Sequence, residues 1–319
     1  MAVCKEMTLG TQSTVLSCGL ALVAAHVMPV MLAMAAEPGR SANGQAPAAA
    51  TDEDSSARGL PDLLPGVLSL DEAITADMLA TLAGRVGWQR LSADSQMAPV
   101  RVTVTPVEAA GRRVGHQVQA AFVIRTPLGT FQNDALAAET LGLQADAAGW
   151  MARPLTTDEC KQAGLGTANA NTSFAVLNLT LLNRVGLQGV VRAERRDGES
   201  GFELTWVFDH RFDRFPSLRA SSQRRTANAL GETVREDPQP YAGAAGVVVV
   251  REVRGMAAEP GESLLVVESR LAFAEPAAWF GGSNLLRAKI PLLIQEGVRT
   301  LRRRLATVPA AAAAGDADR

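Results

Sequence analysis

From Val100 to Phe273 the chain keeps returning to a period of two, and the period then changes once, into a single long helical pattern. Val100, Val102 and Val104 alternate with Arg101, Thr103 and Thr105. His116, Val118, Ala120, Phe122 and Ile124 line one side of a second run. Alternation of this kind specifies strands with one face turned to a core. Phe174–Leu182 continues the pattern. Leu187–Arg195 and Phe202–Phe212 read as a hairpin about a polar, Gly-containing turn at 196–201, with Leu204, Trp206 and His210 on one face. Val247–Val253 and Ser263–Phe273 read as a second hairpin across Gly255–Gly261. The helical pattern covers Ser283–Leu305, where Ile290, Leu293, Ile294, Val298, Leu301 and Leu305 make one apolar stripe. Pro291 lacks an N–H and belongs in a first turn or at a kink.

Ahead of the strands, Ser69-Leu70-Asp71-Glu72 fits a capping box, and Ile74, Met78, Leu82 and Val86 recur every fourth residue. These residues predict a helix ending at Gly87-Trp88. A further short helix is expected over Asn133–Leu143, irregular chain over 144–172, and a long Arg- and Pro-containing excursion over 213–244. Loops of that length are usually functional or disordered. No internal repeat is visible. The expected fold is α+β: about seven antiparallel strands in a curved sheet, packed on the C-terminal helix.

The first residues read as an address. Val15–Ala36 is nearly uncharged and ends in Ala33-Met34-Ala35, a small-x-small cleavage pattern. Lys5 stands alone beside Glu6, and His26 and Pro29 interrupt the apolar run. The run is about as long as a retained membrane anchor, roughly 20 residues, so tethering is the alternative to cleavage. Val15-Leu16-Ser17-Cys18 is no lipobox, because the apolar run follows the cysteine instead of preceding it. The expected divisions are a signal peptide over 1–35, a disordered linker over 36–64, one domain over 65–306 and a disordered tail over 307–319. The destination is periplasmic or secreted.

Cleavage leaves Cys160 as the one cysteine, so an internal disulfide is excluded and stability rests on a core. Asp158 and Glu159 precede Cys160, and anions raise a thiol pKa, which argues against a nucleophile. A net charge of −2 argues against nucleic acid as a partner. Lysine stands only at 5, 161 and 289, and together with the abundant alanine this suggests a GC-rich bacterial genome. The sequons at Asn171 and Asn178 are then bare.

The hairpin Val247–Phe273 feeding directly into the helix Leu285–Leu305, after a run of meandering strands, resembles the helix-grip fold of the START-like (polyketide-cyclase and lipid-transfer) superfamily. The resemblance covers about residues 100–305 and is architectural, since that superfamily has no strict signature motif. It implies a cavity between sheet and helix that receives a hydrophobic or amphipathic small molecule. The cavity candidates are His116, Val118, Phe122, Phe174, Val176, Leu204, Trp206, His210, Val249 and Leu265. For each, plain core packing is the simpler reading.

His116 and His210 are the two histidines of the domain. If both face one cavity with Asp209, Asp213 or Glu203 nearby, they make an acid–base pair or two metal ligands. Asp209 and Glu203 alternate away from His210, which weakens that reading. There is no His-Glu-x-x-His, no Cys-x-x-Cys, no Gly-x-Ser-x-Gly and no phosphate-binding Gly-rich loop. No cofactor, metal or catalytic residue is therefore expected. The arginines of the excursion and of the last helical turns (Arg299, Arg302, Arg303, Arg304) offer cations to an anionic membrane surface, although cations at a helix C-terminus also complement its dipole. The leading expectation is an exported binding protein for a lipid-like molecule. The alternatives are a cyclase- or hydrolase-like enzyme using His116 or His210, and a cell-envelope interaction protein working through 213–244, with Phe212, Phe215 and Tyr241 as contacts.

Overall fold

A computed structural model describes residues 60, 63–131, 151–165, 172–227, 233–254, 263–281 and 283–307. The leader over 1–35, the helix expected over Asn133–Leu143 and almost all of the expected tail lie outside the described residues. The strands are β1 (Arg101–Ala109), β2 (Arg112–Arg125), β3 (Met151–Pro154), β4 (Thr172–Leu181), β5 (Val185–Gly198), β6 (Gly201–Phe208), β7 (Ser221–Ala227), β8 (Thr233–Arg235), β9 (Gln239–Pro240), β10 (Ala244–Val253) and β11 (Leu264–Ala274). The helices are α1 (Ala76–Ala83), α2 (Trp88–Leu91), α3 (Thr157–Gln162) and α4 (Leu285–Thr307).

The fold is α+β, with one large antiparallel sheet and a C-terminal helix. Its main strand order is β1-β2-β11-β10-β6-β5-β4-β3, and β7 also pairs with β5. Every pairing is antiparallel. The sheet has eleven strands, more than the seven expected. Most of the surplus comes from the excursion. β6 leaves β5 opposite Val191, and β7 takes over the same side of β5 along Val185–Gln188. β7 reads Ser-Ser-Gln-Arg-Arg-Thr-Ala, which has no apolar alternation to announce a strand.

Turn chemistry sets the registers. Ala109 pairs with Arg112, so Ala110 and Gly111 form a two-residue turn, both with positive φ (49° and 70°). That geometry matches the right-handed twist of the flanking strands. Gly198 pairs with Gly201, which makes the β5–β6 turn tighter than the span 196–201 suggests. Pro106 does not end β1, because β1 is an edge strand and a missing N–H is tolerated there.

Both faces of the sheet are covered. One meets α4 through Leu286, Ile290, Leu293, Ile294, Val298, Leu301 and Leu305, the stripe expected from sequence together with Leu286. Pro291 sits inside α4, one turn beyond a tolerated position. The other face is covered by the segment before α1, by α1 and by α2: Leu68, Leu70, Leu79, Leu82 and Leu91 pack on Ala121, Val123, Val249 and Val266.

The first helix starts later than the Ser69 capping box predicts. Its cap is Thr75, whose hydroxyl accepts the Met78 N–H at 3.2 Å. Residues 67–69 are held by distant side chains instead. The Glu268 carboxylate accepts the N–H groups of Val67 and Leu68 at 2.8–3.1 Å, and Arg251 donates to the Ser69 carbonyl. A long-range carboxylate thus supplies what a local cap would have supplied.

Candidate functional site

The α4-facing side of the sheet carries Val118, Phe122, Leu204, Trp206 and Leu265 from the expected cavity set. The other apolar candidates lie elsewhere. Val249 faces α1 with Val253 and Val266. Phe174 and Val176 pack on the same side as Phe212 and Leu218, away from α4. The reason is physical. Val247–Val250 is apolar at every position, so period two carries no parity there. β4 is apolar on both faces because the helical turn His210–Arg214 covers its outer side.

Among the strand residues of the α4-facing core lies a small hollow, lined by Leu177, Leu179, Leu181, Leu187, Trp206, Phe208, Tyr241, Ala244, Leu271 and Phe273 and by no residue of α4. Trp206 is the one expected residue that lines it. The cavity volume is about 20 Å³. A single water needs roughly 10–15 Å³ measured that way. Two glycines explain how closely the space is filled. At Gly246 a Cβ would stand 2.6 Å from the indole Nε1 of Trp206, so the ring lies directly on the β10 backbone. At Gly189 a Cβ would stand 2.8 Å from the Phe208 ring.

One wall of the hollow is aromatic. Tyr241 stacks on Trp279 at 5.3 Å and meets Phe208 edge-on at 5.5 Å. Its hydroxyl donates to the Ala274 carbonyl at 3.3 Å, and burial pushes the phenol pKa up. The Trp279 indole N–H donates to Ser222 Oγ. Trp279 and Tyr241 lie outside the regular strands, so sequence alternation could not place them. Their signal was only that large aromatics in turn segments need a partner.

His116 and His210 do not share a site. His116 is 1 % exposed, and its Nε2–H donates to Glu275 Oε2 at 2.5 Å. Its ring lies 5.5 Å from Phe273, and its Nδ1 has no hydrogen-bond partner. Glu275, itself buried, accepts from Arg113, which also donates to the Ser283 carbonyl and Asn284 Oδ1 just before α4. This cluster ties the start of α4 to β2.

His210 is not on a strand, because β6 ends at Phe208 and the Asp209 carboxylate caps the turn that follows. His210 Nδ1 lies 2.9 Å from Asp213 Oδ2 and Nε2 lies 3.1 Å from the Ala242 carbonyl. Among the described residues, no three His, Cys, Asp or Glu side chains converge as a metal site.

Cys160 sits on α3, where burial and then the Glu159 carboxylate push its thiol pKa up. The buried ions Glu268, Arg251 and Arg302 were not anticipated. The signal for Glu268 was its position, in the middle of the apolar run Leu264–Phe273, where a charge needs a dedicated partner.

No protein family matches the chain, and no curated protein matches it. Among solved structures, the chain is similar to "Human StarD13 (DLC2) lipid transfer and protein localization domain", with 13% identity over 62% of this chain and 84% of that one. The TM-score is 0.29. At that overlap the likeness carries no weight, and the architecture rests on the sheet and α4 themselves.

Proposed function

We propose that this protein is exported and binds a small apolar molecule in this hollow of the sheet, opening at the aromatic wall. The observation that supports this reading is the lining of the hollow: ten side chains, none of them charged, that expose no polar surface to it. Enclosed space of that composition stays dry and accepts hydrocarbon. At about 20 Å³ the closed form admits no such ligand. Uptake therefore requires the Tyr241–Trp279 pair to part. Both residues lie in turn segments, where local opening is least costly.

The test uses the full chain and sodium palmitate, read by tryptophan fluorescence, since Trp206 lines the hollow and Trp279 stacks on Tyr241 in its wall. Saturable quenching is expected, with affinity falling at least about tenfold in Ala244→Leu, which fills the space. Absence of saturable binding to the wild-type chain overturns the reading and leaves a packed domain. Export is tested separately by fusing residues 1–40 to alkaline phosphatase in a bacterial host. An inactive fusion counts against it.

A further inference from the structure

A second cavity lies beside the C-terminal turns of α4, and it differs in chemistry from the apolar hollow. It measures about 220 Å³ and is lined by the loop Ala93–Gln96, by Val123 and Arg125 of β2, and by Arg302, Leu305 and Ala306 of α4. Arg302 is buried, yet its partners are all neutral. Nε and Nη2 donate to the Val123 carbonyl at 3.1 and 2.9 Å, and Nη1 donates to the Ala98 carbonyl at 2.5 Å. Among the described residues no carboxylate pairs with it. Desolvation, and then the nearby Arg299, hold its guanidinium pKa down at about 10. A buried cation without a counter-charge is costly, and proteins normally pair it. A guanidinium has five N–H groups, so three bonds leave two.

Arg125 brings a second cation to the same cavity. It donates to the Ser92 carbonyl at 2.8 Å and lies 3.6 Å from the carboxylate of Asp94, an exposed side chain. Asp94 is the one acid in the lining, so two arginines face one aspartate.

We propose that this cavity is an oxyanion site, taking a phosphate group against Arg302 and Arg125. The planar guanidinium fork matches phosphate oxygens, and the site is too small for a drug-sized molecule, which needs about 300 Å³ or more. The bound anion supplies the charge that Arg302 lacks and competes with Asp94 for Arg125. This site does not depend on the apolar hollow or its ligand.

The test measures the thermal midpoint and calorimetric binding of the full chain with sodium phosphate, against sodium chloride at equal ionic strength. At 100 times Kd the midpoint is expected to rise by about 5–10 °C. Asp94→Asn, at an exposed position, is expected to tighten binding several-fold. Arg302→Met removes binding but also removes three hydrogen bonds to the fold. Ala306→Glu therefore serves as the second variant. It places a carboxylate in the cavity, and is expected to abolish phosphate binding while leaving the chain folded. Vesicles containing phosphatidic acid distinguish a lipid headgroup from free phosphate as the source. Binding of either that is lost in Ala306→Glu supports the site. No binding of either, or binding unchanged in Ala306→Glu, overturns it.

Discussion

Two single positions govern how the sheet meets α4. Gly246 lets the Trp206 indole lie flat on β10, so adding one methyl there forces the ring out of its place. Gly246→Ala is expected to destabilise the fold by about 1–3 kcal/mol. Urea unfolding checks the size of the effect, and a red-shifted tryptophan emission would report the displaced ring. Glu268 acts at longer range. It is 0 % exposed and accepts from the Val67 and Leu68 N–H groups and from Gln119 Nε2. Glu268→Ala leaves three donors without this acceptor, one buried (the Leu68 N–H, costing about 1–3 kcal/mol) and two partly buried. The expected result is protease sensitivity near residues 60–70 together with lower overall stability. The sequence marked Glu268 as a charge needing a partner but not which partner, and it did not mark Gly246 at all. Both positions acquire their meaning from residues tens or hundreds of positions away.

At the scale of elements, α3 is expected to lose stability in acid. Its capping box joins Thr156 and Glu159, and Arg153 donates to both Glu159 oxygens at 2.7–2.8 Å. Hydrogen bonding to Arg153 dominates and, with the Thr156 bonds, holds the Glu159 pKa at about 2 against an ordinary 4.5. The folded value is the lower one, so this contribution is fully present above about pH 4.5 and is lost as pH falls toward 2. Amide exchange over Thr157–Gln162 is expected to accelerate through that window in the wild-type chain, and to be already fast at neutral pH in Glu159→Gln. Arg153 is half-exposed, so solvent screening keeps the effect local. α4 behaves differently, since its hold on the sheet is apolar. Ile290→Ala is expected to cost about 2–5 kcal/mol in denaturant unfolding, because Ile290 is fully buried against the strands.

For the whole molecule, the sheet ends at β1, and an edge strand is where a second chain pairs. β1 closes one end of the sheet and carries Pro106 and a register break between Val107 and Glu108. Both features discourage a second chain from pairing there. Pro106→Val is expected to raise light scattering on concentration or heating without loss of the fold. The three-layer arrangement, with α1 and its leading segment on one face and α4 on the other, also explains the content of the central strands. β2, β10 and β11 are apolar on both faces because both faces are covered.

That covering marks the boundary between what was written locally and what was not. Period-two alternation and the α4 stripe are local patterns, repeated every few residues. They were enough to establish an α+β chain with an antiparallel sheet and a closing helix, and to place Val118, Phe122, Leu204, Trp206 and Leu265 on the helix side. The facing of Val249, Phe174 and Val176, the strands within 221–240, the pairing of His116 with Glu275, and the separation of the two histidines depended on contacts between distant segments. An all-apolar run has no parity, and a polar edge strand has no period. In such stretches side-chain chemistry is satisfied by whichever layer packs against them, and only the folded chain decides which layer that is.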